Sequence, residues 1–130
     1  MTNKIKNVTV FSRNRVVLDK ALSVSRHRVG DVKRQMGPDK VMSDLAATFK
    51  VLGDLTRTKI IFALSKKVLC VWEIALLLGI SPSGVSHQLR VLRNMALVRC
   101  RREGKIAYYS LDDIHLKHLL KEGLRHVKEG

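Results

Sequence analysis

The chain has 130 residues and a formal net charge of +14, with 45% hydrophobic but only 5% aromatic side chains. That length holds one domain plus an extension, and so few large side chains make a small core of the kind a partner subunit completes. The charge points to a polyanionic partner, nucleic acid first, and no apolar run approaches the ~20 residues of a membrane span. Cys70 and Cys100 form no paired motif, so no disulfide framework is expected and a cytoplasmic setting fits. The N-terminus lacks the apolar core of a secretory signal. Being basic and poor in acids, it leaves organelle import as the other reading.

Residues 1–38 read as a basic, partly flexible arm. Val16, Val17, Ala21, Leu22 and Val24 support a short helix there, which Gly30 and the pair Gly37–Pro38 are expected to break. The arm is either a solvated tail or a source of phosphate contacts and packing on a partner subunit. Residues 39–130 read as the folded domain. Val41, Leu45, Phe49 and Leu52 predict a helix over Lys40–Leu52, stopped by Gly53. Asp54 caps a second, about Leu55–Ser65, with Ile60, Ile61, Ala63 and Leu64 inward.

The stretch Val71–Val98, VWEIALLLGISPSGVSHQLRVLRNMALV, predicts two helices joined by a tight turn. Ile74, Leu77 and Leu78 give the first an apolar face, and Gly79 ends it. Ser81 is an N-cap and Pro82 suits the first helical position. Val85, Leu89, Leu92 and Ala96 are expected inside. Ser83, Ser86, His87, Arg90 and Asn94 share the opposite face, with Gln88 at its edge. Hydroxyls, an imidazole, a guanidinium and an amide, with no acid, suit the phosphates and base edges of a major groove. The alternative is an ordinary solvated face.

VRCRREGKIAYYSL, Val98–Leu111, changes period and predicts a hairpin with Glu103–Gly104 at the tip. Arg101, Arg102 and Lys105 crowd that tip. A basic hairpin directly after such a helix is a wing, able to reach phosphate or the minor groove. Of Tyr108 and Tyr109, at most one faces the core. The fold class is therefore mainly α with a β-hairpin, a winged helix-turn-helix.

Asp112–Gly130 returns to helix, with Leu116, Leu119, Leu120, Leu124 and Val127 in a broad apolar stripe. Too little chain remains to bury it, so a homodimer contact is expected. The same helix carries Asp113, His115, His126 and Glu129. These nitrogen and oxygen donors suit zinc, with cobalt or another divalent transition metal as the alternative. Ligands of one ion lie within about 4 Å of each other, yet His115 and His126 are about 16 Å apart on one helix. Two antiparallel copies would close two equivalent sites, with Asp113 at the N-cap.

These residues resemble the ArsR/SmtB metal-responsive winged-helix repressors of bacteria. The likeness spans roughly Asp44 to Glu129 and rests on LGDLTRTKIIFAL, LCVWEIA, ISPSGVSHQLRVLRNMALV and RREGKIAYYSL. It implies a homodimer sitting on operator double-stranded DNA near genes for metal efflux or sequestration, released by metal. The Asp, His, His, Glu spacing resembles the site of the family's zinc sensors. Many thiol-sensing members carry Cys-Val-Cys where this chain reads Cys70-Val71-Trp72, which speaks against an all-thiolate site. A mixed second site from His27, Cys70 and Glu73 stays open. The other readings are an ArsR-like regulator or a basic architectural nucleic-acid-binding protein without metal sensing. A metal-dependent hydrolase lacks any His-Glu-x-x-His or Gly-x-Ser-x-Gly. Neither an enzymatic activity nor a small-molecule substrate nor a membrane partner is expected.

Overall fold

Three side-chain caps set where helices begin. Asp54 Oδ2 accepts from the Arg57 N–H at 3.1 Å and Ser81 Oγ from the Gly84 N–H at 3.1 Å. Asp113 Oδ1 accepts from the His115 and Leu116 N–H groups at 2.8 and 3.4 Å. Each answers donors that a helix's first turn leaves without partners. The computed structural model describes residues 12–130, with side chains from residue 15 onward. Its elements run α1 (Ser12–Met36), α2 (Asp39–Leu52), α3 (Leu55–Lys66), β1 (Leu69–Cys70), α4 (Val71–Leu78), α5 (Pro82–Asn94), β2 (Arg99–Glu103), β3 (Ile106–Ser110) and α6 (Ile114–Glu129). The chain divides into two compact units after Asp44.

In the first unit, α1 is one continuous helix of 25 residues. The expected break at Gly30 does not occur. A glycine in a helix interior costs only about 1 kcal/mol, and Asp31 forms ion pairs with His27 one turn earlier and Arg34 one turn later. The helix ends before Gly37, whose φ of +72° favours glycine, and Pro38. Residues 1–11 of the arm lie outside the described residues.

In the second unit the core joins Ile60, Ile61 and Leu64 of α3 to Ile74 of α4 and to Val85, Leu89 and Leu92 of α5. Leu97, Val98, Leu111 and Leu116 complete it. Each such side chain, fully buried, contributes roughly 1.5–3 kcal/mol. Two inward assignments need correction. Leu77 is 62% exposed, because α4 is rolled so that Ile74 and Ala75, with Leu78 at the edge, meet the core. Ala96 is exposed with φ +57°: the chain leaves the helix after Asn94, and the Leu97 N–H returns to the Leu92 carbonyl at 2.9 Å. Leu97 and Val98 take the place expected of Ala96.

The hairpin belongs to a three-stranded antiparallel sheet, order β1-β3-β2. β1 escapes sequence reading because two residues carry no period. Its Leu69 and Cys70 stand opposite Tyr109 and Tyr108. On the other side Cys100 stands opposite Tyr109 and Arg101 opposite Tyr108. The two cysteines therefore project to opposite faces, and both are free thiols. Tyr109 packs on the core, and burial, then its hydrogen bond and charge interaction with Cys100, push its phenol above the usual value. The tip lies one residue later than expected, at Gly104–Lys105, with φ +64° at Gly104.

Of α6, only Leu116 is fully buried. Leu119 and Val127 are exposed, and Leu120 and Leu124 are half-buried. With Phe49, Leu52 and Ile61 they line an open apolar groove. Among the described residues no helix is long and apolar enough to cross a membrane.

Candidate nucleic-acid interface and metal ligands

The helix-turn-helix is built by local chemistry. Gly79, at φ 69° and ψ 31°, closes α4 with its N–H on the Ala75 carbonyl at 2.8 Å. Ser81 and Pro82 then restart the chain as α5. Val85, Leu89 and Leu92 take the inner face, which turns Ser83, His87 and Arg90 outward, all exposed, with Ser86 half-buried beside them. Ser83 Oγ lies 3.3 Å from Ser81 Oγ, so one hydroxyl of the exposed face is tied to the cap. No carboxylate occurs in α5. The face carries hydroxyl, imidazole and guanidinium donors of the kind that suit base edges and phosphates. Gln88 differs from its neighbours: it is half-buried, and its Oε1 accepts from Arg57 Nε at 2.8 Å. Arg57 had no signal in the sequence, since its partner lies 31 residues away.

On the wing, Arg101, Arg102 and Lys105 are all exposed. Arg101 and Arg102 alternate across β2, and Lys105 stands in the turn. Arg101 pairs with Glu103 at 2.9 Å, and Arg99 with Asp112 at 3.2 Å. Exposed pairs of this kind contribute about 0–1 kcal/mol, so a phosphate can displace the carboxylate from Arg101.

The candidate metal donors occupy the two ends of α6. Asp113 is the N-cap, with extended φ and ψ of −77° and 108°. Only Oδ1 serves the cap. His115, His126 and Glu129 are exposed, and Glu129 Oε2 accepts from Arg125 Nε at 3.3 Å. Among the described residues, no three His, Cys, Asp or Glu side chains of one chain gather as metal ligands would. The donor types fit zinc chemistry, but a single chain keeps the two halves at opposite ends of one helix.

The residues of the second constellation have other engagements. Glu73 Oε1 accepts the Cys70 N–H at 2.9 Å, which caps α4 and holds the Glu73 carboxyl below its usual value. Cys70 is half-buried. His27 lies in the other compact unit, 3.8 Å from Asp31.

Comparison with known proteins agrees with this fold. The profile of the family described as "Bacterial regulatory protein, arsR family" matches residues 54–99, from the cap of α3 to the start of the wing. The chain is 38% identical over 107 residues to a cadmium resistance transcriptional regulatory protein CadC homolog of Staphylococcus aureus, covering 82% of this chain and 88% of that one. It is 40% identical over 101 residues to a transcriptional repressor SmtB homolog of Synechocystis, covering 75% of this chain and 76% of that one. Among solved structures it resembles a homodimeric winged helix-turn-helix DNA-binding domain from Mycobacterium bovis. The TM-score is 0.66 at 25% identity, over 70% of this chain and 84% of that one. The fold, the donor-lined helix and the relatives agree: this chain belongs to the arsR family of bacterial regulatory proteins, winged helix-turn-helix transcriptional regulators and not enzymes.

Proposed function

We propose that this protein is a zinc-responsive repressor, a cytoplasmic homodimer that holds operator DNA and releases it when zinc binds. The observation that carries the reading is the distribution of donors on α6. Asp113 and His115 stand at its start, His126 and Glu129 at its end, along a helix whose apolar residues are largely uncovered in the single chain. Pairing two such helices antiparallel covers the apolar residues. It also sets Asp113 and His115 of one subunit against His126 and Glu129 of its mate. Four nitrogen and oxygen ligands suit tetrahedral zinc, or cobalt, better than a softer ion. One relative is named for cadmium resistance. Here a thiolate site would have Cys70 alone, and in the site of His27, Cys70 and Glu73 one carboxylate oxygen of Glu73 is already engaged by the Cys70 N–H.

On DNA, Ser83, Ser86, His87 and Arg90 contact the major groove, with Gln88 at the edge of that face, while Arg101, Arg102 and Lys105 contact phosphate or the minor groove. Two recognition helices in a dimer need half-sites about one helical turn apart. Zinc fixes one arrangement of the α6 pair and hence one spacing of those helices. Where that spacing suits the operator poorly, zinc and DNA weaken each other by the same factor. The test is to titrate the purified protein with zinc and read operator affinity at fixed salt. Two ions per dimer and a weakened complex are expected. Undiminished operator affinity in zinc-saturated protein overturns the reading.

A further inference from the structure

The first turn of α3 is tied to two other elements at once. Asp54 fixes the Arg57 backbone N–H, and the Thr58 hydroxyl donates to the Leu52 carbonyl at the end of α2, 2.6 Å away. The Arg57 side chain spans the remaining gap. Its Nε–H donates to Gln88 Oε1 on the recognition helix at 2.8 Å, and one terminal nitrogen reaches the Val51 carbonyl at 3.5 Å. All these Arg57 contacts are partly buried. A guanidinium is planar and cannot swivel its Nε–H independently of its terminal nitrogens, so the 2.8 Å bond to Gln88, with the longer contact to Val51, narrows its pose.

We propose that Arg57 is a positioning residue for DNA recognition. It braces the middle of α5 against the α2–α3 corner through Gln88, and Gln88 thereby serves as a strut, not as a reader of bases. Apolar packing alone leaves α5 free to roll slightly about Val85, Leu89 and Leu92. One directional bond on its flank removes that freedom. Sequence selection then depends on Ser83, Ser86, His87 and Arg90 being presented at a set angle. The proposal rests on the operator-binding reading above, and it changes what Gln88 is for.

Two rival roles are available to these side chains, and they differ in what they make DNA binding depend on. Arg57 as a phosphate contact would add one counterion to the salt dependence. Gln88 as a base reader would govern one base-pair position.

The experiment compares Arg57→Met, Gln88→Met, the double variant and Gln88→Glu with the wild type. Selection from randomised DNA, affinity for one selected site against random DNA, and the salt slope are measured for each. Circular dichroism and melting confirm the folded state. Each Met variant should lower the preference for the selected site by about tenfold. The double variant should lose no more than either single one, and the salt slope should stay unchanged. Gln88→Glu keeps an acceptor for Nε–H, so it should keep the preference while weakening all sequences alike. A salt slope lower by about one in Arg57→Met, additive losses, or a base preference altered at one position in Gln88→Glu overturns the proposal. If Arg57→Met does not fold, the Gln88 variants decide it. Wild-type protein that selects no sequence would bring down the operator reading and this proposal together. Wild-type selection with indifferent variants brings down the proposal alone.

Discussion

Of the two exposed arginines of α5, Arg90 lies on the face that carries Ser83 and His87, where its guanidinium can grip a guanine edge with two hydrogen bonds. Arg90→Ala should therefore relax sequence preference by about 1–3 kcal/mol at one position. Lys105, alone at the hairpin turn, has no such reach into a base. Lys105→Ala should weaken all sequences about equally and lower the salt slope by about one. Competition of selected against random DNA over a salt series separates the two effects. Glu73 offers a prediction of another kind. Its carboxyl is held below the usual 4.5 first by the Cys70 backbone N–H and next by the Cys70 side chain. A carboxyl with a depressed folded value stabilises fully above its unfolded value, and that contribution is lost as pH falls through the folded one. Melting temperatures on either side of pH 4.5 should therefore show a shallower acid loss for Glu73→Gln than for wild type.

At the scale of elements, α6 changes role along its length, since Leu116 near its start and Val127 near its end lie on the same face. Leu116 is buried in its own subunit, whereas Val127 is 75% exposed. Val127→Asp thus places its charge in water in the single chain and costs the subunit little. In the dimer the same charge would be desolvated without a partner. Sedimentation should show Val127→Asp as a folded monomer with weak operator binding at concentrations where the wild type is dimeric. A Val127→Asp dimer of normal affinity would mean that α6 does not form the seam. α4 is the opposite case. Its two turns hold because Glu73 and Gly79 cap them and Ile74 anchors them, while Leu76 and Leu77 stay outside.

For the whole molecule, the proposed function ties metal and DNA to one geometry. His115→Ala or His126→Ala should keep the winged-helix fold and operator binding, since neither side chain is buried. Both should abolish tight zinc binding at the shared sites and, with it, zinc-driven release. Calorimetric zinc titrations, paired with operator affinity, check this. A mixture of His115→Ala and His126→Ala subunits should recover one site in each mixed dimer, because the intact halves then meet.

Much of this protein is written in local chemistry. Asp54, Ser81 and Asp113 cap helices, Gly79 and Gly104 take the positive φ their turns need, and the period of Val85, Leu89 and Leu92 names the inner face of α5. Caps, turns and periods act over a few residues, so composition and spacing alone determined the winged helix-turn-helix and its basic outer face. Other features depend on what lies across the fold. The roll of α4, which exposes Leu77, is set by where α3 and α5 leave room. The pairing of β1 with β3 joins residues about forty apart in a strand too short to signal itself. The bond from Arg57 to Gln88 exists only once packing brings α3 beside α5. These are long-range contacts whose geometry no short window of sequence contains, and only the tertiary structure decided them.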